Sequence, residues 1–194
     1  MKLSNELESA LKILIDSIPK NVKWGLSNGT ATFFYGSGRE PTDIDIFADT
    51  NGVQKISKAL KGYLLNPLGK KVKNFFEFFG AKFKINEYEV EVYSDLLIKI
   101  DGKVYRKSMD DELSNRIRKI KINNLEIPVL SPEDVIASKA LTQRGKEEGK
   151  HDIDDVKAIL KNEKIDWKYL EERAKRMGGY DRIFGLLRYL GYQV

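Results

Sequence analysis

Two short apolar stretches, VKWGL at 22–26 and IDIFA at 44–48, leave little room between them, and that spacing restricts the fold more than any other feature. Both read as strands, the second carrying Asp43 and Asp45 at its start. The polar SNGT follows the first strand. After Gly29-Thr30, twelve residues (Ala31 to Thr42) precede Asp43, and ATFFYG supplies about two helical turns at ~3.6 residues each. Ser37 leaves only five, Gly38 to Thr42 with Pro41 among them, too few for a turn, a helix and a return. The spacing therefore predicts strand, turn at SNGT, short helix, strand, with YGSG a mere connector.

Amphipathic helices flank this unit. Leu7, Leu11, Leu14, Ile15 and Ile18 recur at helical spacing before Pro19, and Val53, Ile56, Leu60, Tyr63 and Leu64 trace another face. KFKI, YEVEVY and LLIKI then alternate with period two, and Asp101-Gly102 turns into KVY. A second hairpin, KIKINNLEIPVL, turns at Asn123-Asn124. From Ser131 the texture becomes helical: Ser131 is an N-cap, Pro132 suits the first helical position and Asp134 completes a capping box. The expected fold is α/β (α+β), a mixed sheet with helices over residues 1–130, followed by a C-terminal helical region at 131–194 packed against it.

Asp43 and Asp45 flank Ile44, so in a strand both carboxylates leave one face while Ile44 enters the core. Two such carboxylates repel unless a cation lies between them, and Mg2+ bound to nucleotide phosphates is a common solution. Glu89 and Glu91 repeat the pattern, and either could complete a two-metal site with ions ~3.5–4 Å apart. The chain has no cysteine and one histidine, so thiolate chemistry, cysteine-held zinc and Ser-His-Asp catalysis fall away and any metal is held by oxygen. The formal net charge of +5 permits polyanion partners without demanding them. No apolar run is long enough to span a bilayer, which predicts a soluble, cytoplasmic protein.

NGTATFFYGSGREPTDIDIF resembles the DNA polymerase β-like nucleotidyltransferases, most of all the branch of abortive-infection toxin-type (AbiEii-like) enzymes. In that branch a Gly-Gly-Thr turn, a short helix and an Arg-x-Ser element lead to Asp-x-Asp. The likeness gives Asn28, Gly29 and Thr30 the phosphate-loop positions, Arg39 the arginine, and Asp43 and Asp45 the metal ligands. Asn28 stands where glycine is usual and Pro41 where serine is usual. SPEDVIASKAL and HDIDD are similar to the branch's lysine-bearing helix and Lys-Asp-x-x-Asp segment. Lys139, Asp152 and Asp155 match there, while His151 replaces the lysine.

The resemblance implies transfer of a nucleoside monophosphate from an NTP to an acceptor hydroxyl or phosphate, with Mg2+ or Mn2+ and release of pyrophosphate. Asp43, Asp45 and Glu91, with Glu89 as the alternative, would hold metal; Gly29 and Thr30 would hold the β- and γ-phosphates. Glu91 would also help deprotonate the acceptor, and Lys139 and Arg39 would neutralise the triphosphate. RNA such as tRNA, a protein or a small molecule could be the acceptor, and the toxin-type branch implies an antitoxin partner. Lys139 also falls on the apolar stripe of its helix, where a lysine costs desolvation unless it meets an anion. The contrasting expectation is a catalytically inactive nucleotide- or RNA-binding protein, using the tail cations Arg173, Lys175, Arg176, Arg182 and Arg188 and the aromatics Trp167, Tyr169, Tyr180 and Tyr189.

Overall fold

A computed structural model describes residues 2–194. Helix α1 (Asn5–Ser17) is capped by Ser4, whose hydroxyl accepts from the Leu7 amide. The short strand β1 (Trp24–Leu26), helix α2 (Asn28–Phe34) and strand β2 (Asp43–Ala48) follow in the order read from the spacing. Helix α2 starts at Asn28 rather than after Thr30. Asn28 itself has φ 48°, a left-handed conformation that asparagine tolerates better than most non-glycine residues. That tolerance lets asparagine open the helix here.

Helix α3 (Thr50–Ala59) ends sooner than its apolar pattern suggests, since Tyr63 lies in a 3-10 turn and Leu64 opens strand β3 (Leu64–Lys73). Strand β4 (Phe76–Ile85) pairs with β3. YEVEVY and LLIKI form one long strand, β5 (Tyr88–Ile100), rather than two. Strand β6 (Lys103–Lys107), helix α4 (Asp111–Asn115) and the hairpin of β7 (Arg118–Ile122) and β8 (Leu125–Val129) complete the first part. Helices α5 (Pro132–Thr142), α6 (Asp152–Asn162), α7 (Trp167–Arg176) and α8 (Tyr180–Tyr189) form the C-terminal region.

The sheet order is β3-β4-β5-β2-β1-β8-β7, with β6 beside the second half of β5. Strands β1 and β8 are parallel, as are β2 and β5, and the remaining pairs are antiparallel. One hydrophobic cluster runs through both parts, joining Ile44, Ile46, Val90 and Val92 of the sheet to Val135, Ile136, Val156 and Leu187 of the helices. The Ser131 cap forms, accepting from the Asp134 amide at 3.2 Å. The Asp134 carboxylate does not close a capping box. It accepts from Ser131 Oγ and the Tyr169 hydroxyl and lies 2.9 Å from Arg173 Nε. Among the described residues no helix is long and apolar enough to cross a membrane.

Candidate active site

Strand β2 places the two aspartates as its alternation requires: Ile44 and Ile46 are fully buried while Asp43 is exposed and Asp45 half-buried on the opposite face. The parallel pairing with β5 sets Asp43 level with Glu89 and Asp45 level with Glu91. The two glutamates then diverge. Glu89 accepts from Lys82 Nζ at 2.8 Å, whereas Glu91 lines a cleft of about 520 Å³ together with Asp43 and Asp45. The Asp45 carboxyl is pushed up to about 7, chiefly by burial and then by the charges of Asp43 and Glu91. Burial also raises Glu91, against the pull of Lys73 and Lys82.

The loop before α2 contributes through its backbone and through Asn28. Asn28 donates from Nδ2 to the Tyr93 hydroxyl at 3.1 Å, and its amide also lowers the Asp45 pKa by hydrogen bonding. The space before Gly29 is open: a Cβ there would meet no heavy atom within 4 Å. Thr30, expected from the resemblance to hold phosphate, turns its hydroxyl to the backbone of β2. Its side chain is fully buried, donates to the Asp43 carbonyl and accepts from the Asp45 amide, both at 3.1 Å. Its hydroxyl is thereby committed to holding β2. Ser37, read from spacing as part of a connector, lines the cleft with Arg39.

Lys139 and Asp152 are likewise turned inward. The Lys139 ammonium lies 2.9 Å from both Asp152 and Asp155. Burial alone would lower its pKa, and these two carboxylates reverse that and leave it raised. Asp152, with no exposed surface, also accepts from Thr142 at 2.6 Å and from Arg144 Nε at 2.7 Å. Arg39 reaches across from the loop before β2 to pair with Asp155. Asp152, which the resemblance implies as a cofactor-binding position, and Lys139, expected to neutralise a triphosphate, are thus joined in a buried ionic hub. Lys139 keeps a small edge on the cleft.

Sequence reasoning missed the far half of the cleft. Lys73, Asn74, Phe76 and Phe78 from the β3–β4 hairpin, and Tyr93, Leu96 and Ile98 from β5, line it beyond Glu91. Arg144 lies over Phe76 at 5.2 Å, and Lys150 and His151 close the helical side. The tail cations expected to serve RNA binding are for the most part ion-paired within the chain. Arg173 is buried against Asp134 and Asp110, Arg176 pairs with Glu112, Lys175 with Glu171 and Arg182 with Asp101. Tyr169 is buried.

Residues 30–191 match the family described as uncharacterised nucleotidyltransferase. Among solved structures the fold is similar to that of TM1012 from Thermotoga maritima, described as a candidate nucleotidyltransferase, at TM-score 0.61 and 20% identity over 74% of this chain and 88% of that one. An antigenic nucleotidyltransferase-like protein from Paracoccidioides brasiliensis gives TM-score 0.56 and 16% identity over 96% and 88%. ANT(2")-Ia, solved with adenylyl-2"-tobramycin, gives 0.53 and 12% over 90% and 96%. No curated protein matches the chain.

Proposed function

Because the chain belongs to the uncharacterised nucleotidyltransferase family, whose match reaches the superfamily of the resemblance and not its toxin-type branch, we propose that it moves a nucleoside monophosphate from an NTP to an acceptor. The observation that carries this reading is the register of β2 and β5, which sets Asp43, Asp45 and Glu91 together on one wall of the cleft.

The donor set suits Mg2+. It is all oxygen, and burial among like charges leaves Asp45 in need of a cation or a proton. Among the described residues no group of three acidic or histidine side chains is arranged to hold an ion unaided. Mg2+ commonly keeps only one or two carboxylates and takes its other ligands from substrate phosphates, so the ion is expected to arrive with the nucleotide. When bound there it would neutralise charge on the phosphates.

The chain's own residues supply the rest. The open space at Gly29 admits the phosphate chain close to backbone, and Arg39, 41% exposed beyond its contact with Asp155, faces the same cleft. Glu91, raised by burial, accepts the acceptor's proton as its oxygen bonds to the α-phosphorus, and the bond from that phosphorus to the bridging oxygen breaks to release pyrophosphate. Positioning and electrostatics provide most of the acceleration. ANT(2")-Ia was captured with an adenylylated aminoglycoside, so transfer to a small-molecule hydroxyl is one form of this chemistry.

Calorimetric titration with NTP in Mg2+ and in EDTA tests the reading, alongside pyrophosphate release in the presence of candidate acceptors. Binding that needs the divalent ion is the expected result. Equal affinity in EDTA would remove the carboxylate metal site, and binding without pyrophosphate release from any acceptor would favour the inactive binder.

A further inference from the structure

The charges of the cleft are unevenly committed. Five cationic side chains line it: Arg39, Lys73, Lys139, Arg144 and Lys150. Arg39, Lys139 and Arg144 share the carboxylates of Asp152 and Asp155. Lys73 and Lys150 have no such partner among the described residues. Lys150 lies in the α5–α6 connection. Lys73 stands at the end of the β3–β4 hairpin, paired with Phe76, and its charge is the first to pull Glu91 down against the effect of burial.

Beyond Glu91 the strand order carries the cleft away from the Asn28–Gly29 loop and toward β4. The floor there is apolar, made of Phe76, Phe78, Leu96 and Ile98. The bulge that lets both halves of β5 contribute is visible in Asp95, whose φ is 49°. An acceptor that brings its oxygen to Glu91 must lie on this floor with Lys73 at its side. A polyamine would meet an unpaired ammonium and an apolar surface. An anion with an apolar body would meet complementary partners for both.

Resting on the nucleotidyltransferase reading, we infer that the acceptor is anionic and carries an apolar, ring-like body, with Lys73 gripping its charge and its ring on the floor of Phe76 and Phe78, beside the Arg144 guanidinium that lies 5.2 Å from the Phe76 centroid. The minimal chemistry that fits is a nucleoside monophosphate, whether free or as the end of a strand. Opposite charges raise affinity and steer encounter, and an aromatic floor binds any base face without reading its sequence.

The test fills the donor site first, with Mg2+ and a non-hydrolysable ATP analogue, and then titrates AMP, adenosine, ribose 5-phosphate, spermidine and a short oligonucleotide with a free 3′ hydroxyl. AMP or the oligonucleotide should bind, more tightly than adenosine or ribose 5-phosphate, and spermidine should not. AMP binding assigns the free nucleotide; binding of the oligonucleotide alone assigns a strand end. Lys73→Glu should weaken the anion about tenfold or more, equivalent to about 1.4 kcal/mol, a loss larger than any it causes in the analogue's affinity through Glu91. Lys73 is exposed, so the variant should melt like the wild type. Spermidine binding, or anion binding unchanged in Lys73→Glu, would overturn the inference. Failure of the wild type to bind the analogue at all would instead overturn the nucleotidyltransferase reading itself.

Discussion

Thr30→Val separates a residue that holds a strand from one that holds a phosphate. Valine keeps the shape and removes the hydroxyl that bridges the Asp43 carbonyl and the Asp45 amide. The side chain is fully buried, so water does not replace it. Each buried backbone group left without a partner costs about 1–3 kcal/mol, giving about 2–4 kcal/mol for the pair once partial relaxation is allowed. For a chain of this size 1 kcal/mol lowers the melting temperature by about 2–4 °C, so the ligand-free protein should melt roughly 4–16 °C lower. Calorimetric melting without nucleotide reads this directly, with Ser37→Ala as a cleft-lining control that should not move. A Thr30→Val protein that melts within about a degree of wild type and loses only NTP affinity would refute the strand-clamp argument.

Four further outcomes follow from the same geometry. Gly29→Val should abolish NTP binding with little effect on melting, because its side chain would project into open cleft space; unchanged NTP affinity would move the phosphates elsewhere. Lys139→Met should destabilise, though by less than the ~3–5 kcal/mol of a wholly unpaired buried charge, because Asp152 keeps Arg144 and Asp155 keeps Arg39 when the cation between them is lost; a melting temperature near wild type would return Lys139 to a ligand role. Asp45→Asn should abolish transfer and raise metal-free stability at pH 8. Since the folded Asp45 pKa of about 7 exceeds the unfolded value of about 3.9, the native state holds the extra proton between them, and the gain over wild type should fade as pH drops through that window. Lys107, buried and pushed down to about 8 by burial, has Ser138 Oγ as its hydrogen-bond partner at 2.8 Å. Stability should rise as pH climbs from about 8 toward 10.4, and Lys107→Met should flatten that rise.

Alternation made the carboxylate wall legible: Asp43, Asp45, Glu89 and Glu91 had to share faces, and the parallel register set them level. Spacing gave the strand-helix-strand unit for the same kind of reason, since chain length limits what can lie between two strands. Strand β3 was not legible. LLNPLGKKVK contains Pro67 and Gly69, lies at the sheet edge and is largely exposed, so nothing imposes an apolar period on it. The unity of β5 was hidden because Asp95 shifts the phase, placing Glu91 and Tyr93 and then Leu96 and Ile98 along the cleft. Lys139 illustrates a different limit. An apolar stripe around a lysine signals a buried anion, but not whether that anion is a substrate phosphate or a carboxylate thirteen residues onward.

The same contacts that order β2 also prevent its carboxylates from relieving their own repulsion. The Asp45 carbonyl accepts from the Ser27 amide at 2.9 Å, its amide is held by Thr30, and its neighbour across the sheet is fixed by register at Glu91. Arg39 ties the preceding loop to Asp155 on α6, so the strand is restrained from the helical side as well. With the backbone fixed, two responses remain: a proton on Asp45 or a cation among the carboxylates. They compete. A divalent ion arriving with nucleotide must displace whatever proton Asp45 holds, so the apparent affinity for Mg-NTP should fall as pH drops below about 7, and Asp45→Asn should lose that pH dependence along with most of the affinity. Titrations at pH 6 and pH 8 measure it. An affinity that is flat across this range in the wild type would mean that the carboxylate wall does not receive the ion.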